Sequence, residues 1–412
     1  MTSSSPLDNL PLELAIQIIS YLDVLPESHR DFTREPSLSL VLHPPDHDAP
    51  LKALACVSRT WRQLVLPTLF RYVRLPLTYD RVLGMNIMRW DEQAEDLRQL
   101  LTALDLCRRC EGLTMFTGRG QVRDHGHKMT DGMWESILSF IQPKSVTVLA
   151  PPGVLEDIVG LSTVRVAQDD WAFDIPFQLL HVSRPSKPLR PSLFSPCTPP
   201  GGENKRPSKL GLLHALAWEH LVLNEGCAIK AYSTYEYFLK HMPSPINGLS
   251  LQSSHPTIAG AATTPTGPIV APLSDLHCSL QSFDYIAIFP FASHVETVSK
   301  FAEALPGLRR FSVQLAPDPR NSGILEDKRR MGTADPNDMY MELDSAYNFI
   351  AAAIFDRRAD ERRLRIFECR DYVSPALRSS LDEKFSRGLR GWYERHGDGG
   401  TWMKSPTMVP AE

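Results

Sequence analysis

The chain has 412 residues, with 44 basic and 48 acidic side chains and a formal charge of −4. Its apolar fraction of 42% and charged fraction of 22% exclude full disorder and collagen-like order, and the balance of signs excludes a general nucleic-acid binder. The 34 prolines must fall mainly in loops, because helix and strand interiors reject them.

Residues 1–9 read as a short lead, and residues 10–23 as a helix with Pro11 in its first turn, where proline is tolerated. Residues 24–50 carry several prolines and no clear period, so they read as a loop. Residues 51–66 read as a second helix, ended by Pro67. Beyond residue 90, helical stripes alternate with short strand patterns. Strands are expected at 112–116, 145–150, 162–167, 219–224, 248–252, 282–289, 308–315 and 364–369. A unit of one apolar helix stripe and one short strand cannot bury its face alone, so stacked units would form a solenoid with a parallel sheet. The alternative is an ordinary doubly wound α/β domain. Residues 183–209 and 253–274 read as disordered insertions in this repeat region of 81–396, residues 317–340 as an exposed loop, and residues 397–412 as a flexible tail.

The first helix carries two neighbouring apolar stripes, one of Leu12, Ala15, Ile16, Ile19 and Leu22 and one of Leu14, Ile18 and Tyr21. That arc is much wider than the ~100° needed to face one core. A partner surface or the following domain is expected to cover it. The second helix places Leu54, Val57, Trp61 and Leu64 at helical spacing. A plain helical pair that only caps the solenoid is the competing reading.

These two helices resemble the F-box proteins. The resemblance rests on Leu10, Pro11, Glu13, Leu14, Ile16, Ile18, Ile19, Tyr21 and Leu22, then Leu54, Ala55, Cys56, Val57, Ser58, Arg59, Trp61, Arg62 and Leu64, followed by LPTLFRYVRL. It covers about residues 8–75. The family joins its two halves by a short turn, whereas here about 25 extra residues intervene; such an insertion costs little loop entropy. The resemblance implies an α/β chain with an F-box-like helical domain over 1–80, including the inserted loop 24–50, and then an irregular leucine-rich-repeat-like solenoid. It implies a substrate-recognition subunit that docks on a Skp-type adaptor and, through it, a cullin–RING ubiquitin ligase. The adaptor contact would involve Leu10, Pro11, Leu12, Ile16, Ile19, Leu54, Val57 and Trp61, with Trp61 shared between core and interface.

Other chemistry is sparse. Cys107 and Cys110 are spaced like a metal pair, with His125 and His127 further on, but Cys107 continues a leucine stripe and the histidines lack the usual zinc spacing. No Walker loop, G-x-S-x-G elbow or H-E-x-x-H motif is present. Ser195-Pro196 and Thr198-Pro199 are candidate phosphorylation positions beside Lys205 and Arg206. No enzyme activity, cofactor, metal, nucleic acid or membrane partner is expected. No apolar run reaches the ~18 residues that cross a bilayer, and no Lys or Arg precedes the first apolar stretch, so a secretory leader is not expected. Seven scattered cysteines fit a reducing, intracellular setting, cytoplasmic or nuclear.

Overall fold

The computed structural model describes residues 10–42, 49–82, 85–118, 132–160, 169–184, 211–254, 279–319, 323–356, 364–389, 393–397 and 399–405. Three helices open the chain: α1 (Leu12–Leu22), α2 (Pro50–Ala55) and α3 (Arg59–Leu69). The expected single helix over 51–66 is therefore two. Ser58 breaks it, because its side chain accepts from the Trp61 amide at 3.3 Å and starts a new helix there. Pro67 does not end α3 but stands inside its last turn, and the Phe70 amide still reaches the Leu66 carbonyl at 3.0 Å. Ala15, Ile19, Trp61 and Val65 form the small core of this unit.

An eleven-stranded sheet follows, in the order β10-β11-β9-β8-β7-β6-β5-β4-β3-β1-β2. Its strands are β1 (Tyr72–Val82), β2 (Met85–Arg89), β3 (Gly112–Thr117), β4 (Ser145–Ala150), β5 (Gln178–Ser183), β6 (His220–Cys227), β7 (Ser282–Ile288), β8 (Arg310–Gln314), β9 (Ile366–Cys369), β10 (Tyr393–His396) and β11 (Thr401–Lys404). From β3 to β9 the strands lie side by side in chain order. A doubly wound sheet would reverse its order at a switch point, and this one does not.

Most strands run in one direction, with β2, β5 and β11 reversed, so five of the ten pairings are parallel and five antiparallel. β5 runs antiparallel to both β4 and β6. At one end β2 folds back on β1, and at the other β11 pairs antiparallel with both β9 and β10.

Alternation along the strands assigns the two faces. Val146, Val148 and Ala150 of β4, Leu221 and Leu223 of β6, and Phe283 and Tyr285 of β7 join the main core. The helices that pack into that core are α4 (Asp91–Ala103), α5 (Met133–Phe140), α6 (Pro152–Val159), α7 (Asp170–Phe173), α8 (Leu212–Ala215), α9 (Pro245–Ser254), α10 (Ala292–Ala304), α11 (Gly323–Glu326), α12 (Lys328–Met331), α13 (Pro336–Asp356) and α14 (Pro375–Leu389). No helix among the described residues is long and apolar enough to cross a membrane.

The opposite face of the sheet is covered differently. Residues 26–42, between α1 and α2, cross it as a strap with 3-10 turns at Glu27–His29 and Leu38–Leu40. Leu40 and Val41 are fully buried against Leu149, Phe177 and Leu179 in a cluster separate from the main core. Burying each such aliphatic side chain contributes about 1.5–3 kcal/mol. The segment expected as a featureless loop is thus a packed element.

Other expectations need correction. Residues 248–252 lie within α9 rather than in a strand, because Ser244 accepts from the Ile246 amide at 3.0 Å and Pro245 takes the first helical position. Residues 317–340 hold α11, α12 and the start of α13 instead of a bare loop. Residues 401–404, expected to fray, are β11, and its Trp402 is buried against Phe367, Tyr372 and Phe385. The expected strand at 162–167 and nearly all of the two Pro-rich or Ser-rich insertions lie outside the described residues.

Candidate functional site: an apolar helical face and a strapped sheet face

On α1, only Ala15 and Ile19 turn inward to meet Trp61 and Val65. Leu12 and Ile16, one helical turn apart, are each 54% exposed, and Leu14, Ile18 and Tyr21 form a second exposed line beside them. Val24 and Val57 are also exposed. Of the eight residues expected at the adaptor contact, Pro11, Leu12, Ile16 and Val57 are exposed, and Leu10 and Leu54 are half-buried. Ile19 and Trp61 are buried; Trp61, at 2% exposure, belongs wholly to the core and is not shared with the surface. The two buried residues hold the helices at the angle that presents the others. An ion pair of 2.7 Å between Asp23, just past α1, and Arg71, just before β1, ties the unit to the edge of the sheet.

The sheet's second face is polar along a single register row, Val222 excepted. Strand pairing aligns Arg74, Thr114, Thr147, His181, Val222, Asp284, Ser312 and Glu368 across β1 and β3 to β9. The strap closes over the first half of this row. His29 Nε2 lies 2.9 Å from Thr114 Oγ1, and His29 Nδ1 lies 3.2 Å from Ser145 Oγ. Thr147 donates to the Ser28 carbonyl at 3.0 Å. The His29 ring packs between Tyr72 and His181, with centroids 5.0 and 5.6 Å away. Gly112 makes room for it: a Cβ there would overlap the Tyr72 ring and stand 2.9 Å from His29 Cε1.

Further along, Asn224 Nδ2 donates to the Phe32 and Arg34 carbonyls at 2.7 and 2.9 Å, and Arg330 donates to Glu35 at 2.6 Å. Burial, aided by the charge of Arg74, pushes the His29 pKa down to about 4. Burial also pushes His181 well down, with His29 and His220 acting in the same direction.

The second half of the row is an ionic lattice. Arg310 bridges Asp284 and Glu368 at 2.5 Å each, and Arg370 reaches Asp284 at 2.8 Å. Burial acts to raise the Asp284 pKa, but His220, 3.5 Å away, and the charges of Arg310 and Arg370 outweigh it and hold the carboxyl below its ordinary range. These groups neutralise one another, so the lattice is a fixed polar surface and not a poised acid or base.

Two other polar clusters serve the interior. Glu225 accepts from Ser244, from Tyr285 at 2.7 Å, and faces His294 Nε2 at 2.8 Å. Asp371 accepts the Leu315 and Ala316 amides and the Tyr347 hydroxyl, with burial raising its pKa to about 6. In both clusters each carboxylate oxygen is occupied by a protein donor.

The cysteine pair of the sequence resolves the same way. Cys110 is buried, donates to the Gly112 carbonyl at 3.5 Å and is pushed up to about 12 by burial, while His125 and His127 lie outside the described residues. Among the described residues no group of three metal-ligating side chains converges.

The strap residues Ser28, His29, Phe32, Leu40 and Val41 were not expected at any site. The run Leu38–Leu42, apolar at four of five positions within a Pro-rich stretch, was the available signal. In comparison with known proteins, the chain matches no family model, no curated protein and no solved structure.

Proposed function

We propose that the chain is the substrate-recognition subunit of a Skp–cullin–F-box type ubiquitin ligase, a binding protein and not an enzyme. Its three N-terminal helices would form the F-box-like unit, and its sequentially ordered sheet an irregular leucine-rich-repeat-like array. One observation carries the reading: Leu12, Leu14, Ile16, Ile18 and Tyr21 stand exposed on a helix whose inward side is already satisfied by Trp61 and Val65. Burying a side chain of this kind is worth about 1.5–3 kcal/mol, so a partner that covers several of them gains a large apolar contact. A Skp-type adaptor is the partner that the motif residues Leu10, Pro11, Leu54 and Val57 imply, and the assembly would sit in the cytoplasm or nucleus. The sheet's second face would then select a protein substrate.

The test is co-expression with a Skp-type adaptor followed by size-exclusion chromatography. The wild-type chain should co-elute, and a Leu12→Ser, Ile16→Ser double variant should not, while keeping its thermal midpoint. Equal co-elution of the two chains, or none for either, refutes the reading.

A second reading has its own observation. The Arg71–Asp23 ion pair and the strap both fasten the helical unit to the sheet, as a simple N-terminal cap of a scaffold would be fastened. That reading gives no role to the exposed α1 side chains.

A further inference from the structure

We infer that the strap is a displaceable occupant of the sheet's second face, and that its chemistry describes the ligand which replaces it: a peptide segment of a protein partner, turned and bent as the strap is. The inference deepens the proposed reading of this face as the selecting surface and rests on it.

The first argument is that neither large core needs the strap. The helical unit closes on Ala15, Ile19, Trp61 and Val65, with no strap residue among them. The main core lies on the other side of the sheet and likewise contains none. The strap's apolar anchors, Leu40 and Val41, belong to a cluster of their own with Leu149, Phe177 and Leu179. In the chain the strap joins α1 to α2, two helices of one unit, and no strand of the sheet lies within it.

The second argument is that the face beneath it reads a peptide. Asn224 donates to two carbonyls two residues apart, those of Phe32 and Arg34, across the bend at Thr33 and Arg34, which is recognition of backbone shape and not of a particular side chain. Arg330 reads a carboxylate next to that stretch, at Glu35. Thr114, Thr147 and Ser145 offer hydroxyls that engage Ser28 and His29 at one end. Leu149, Phe177 and Leu179 take an aliphatic pair at the other. The ligand is therefore a segment that turns and bends as the strap does, with a small hydroxyl and an imidazole, then an aromatic and an acidic residue, then two adjacent aliphatic residues. An internal occupant lowers the apparent affinity for such a ligand by the fraction of molecules in which the face is open.

The experiment uses the full chain with residues 27–42 replaced by a short Gly-Ser linker, and a fluorescent synthetic peptide of residues 26–42 as the probe. The linker chain should bind the peptide, the intact chain should bind it about tenfold more weakly or worse, and Asn224→Ala in the linker chain should lose it. A folded linker chain that ignores the peptide, or that binds a scrambled peptide equally well, overturns the inference. So does a linker chain that fails to fold, since the strap would then be part of the fold. Hydrogen exchange on the intact chain gives an independent reading. Strap amides should exchange on the order of 100-fold faster than those of β4 and β5, and equal protection refutes displacement. Adaptor co-elution, run on the same linker chain, reports separately on the proposed function and does not depend on peptide binding.

Discussion

Acidification should loosen the chain through His29, and the size of the effect follows from its burial. The imidazole is neutral in the folded protein, with its pKa pushed from 6.5 down to about 4 by burial and by the charge of Arg74. Once the chain unfolds, the ring returns to its ordinary value and takes up a proton as pH falls below about 6.5. Between those two pKa values the unfolded state binds more protons, so stability present at neutral pH is lost progressively as pH drops toward 4. At pH 5 the unfolded ring is almost wholly protonated and the folded ring about one-tenth so, which removes about 2 kcal/mol relative to pH 7. His181, shifted in the same direction by burial, adds to the trend. Urea unfolding of wild type and His29→Gln at pH 7 and pH 5 isolates the His29 share. The variant should lose about 2 kcal/mol less than wild type over that interval. An identical loss in the two proteins would show that His29 is not held neutral between Tyr72 and His181, and the geometry given for the strap would be wrong.

Three further outcomes follow from packing. Trp402→Ala should cost about 3–5 kcal/mol in denaturant unfolding, because the indole stacks on Phe367 at 5.5 Å and meets Tyr372 edge-on at 5.7 Å; a cost under 1 kcal/mol would return residues 401–404 to a loose tail. Gly112→Ala should speed amide exchange in the strap while leaving β7 and β8 protected, since the new methyl displaces the Tyr72 and His29 rings. Trp61→Ala should destabilise the helical unit by about 3–5 kcal/mol, whereas Leu12→Ser, on the exposed side of α1, should fall within about 0.5 kcal/mol of wild type by circular-dichroism melting; equal losses would contradict the assignment of inward and outward faces.

The sheet was legible where strands alternate cleanly or end on clear breaks. Ser145–Ala150 is a strand over its whole expected length, and β6 to β9 fall on their expected segments. β5 escaped notice because Gln178 to Val182 are all buried, so no alternation of polar and apolar residues marks it. The run 248–252 was ambiguous, as short apolar runs are, and the cap at Ser244 and Pro245 decides it. The wide apolar arc of α1 was readable as a surface in need of cover. Which of its residues turn inward was not, because that depends on where α3 sets Trp61 and Val65. The strap was the least legible part: its partners Thr114, Thr147, Leu179 and Asn224 lie 85 or more positions away for the hydrogen bonds to Thr114 and Asn224, and no local pattern announces a contact over that distance.

The reversed strand β5 also sets rules for how this architecture can change in length. On one side of it β1, β3 and β4 run together, and on the other β6 to β9 do. A tandem copy of one helix-and-strand module dropped into either block would keep direction and alternation, and the array would simply lengthen. A tandem copy of β5 itself would not: two neighbouring reversed strands, advancing the same way with their connecting helix on the same face, would need a crossover of the disfavoured left hand. Lengthening is therefore open to the two blocks, on either side of β5, and closed to the reversed strand itself.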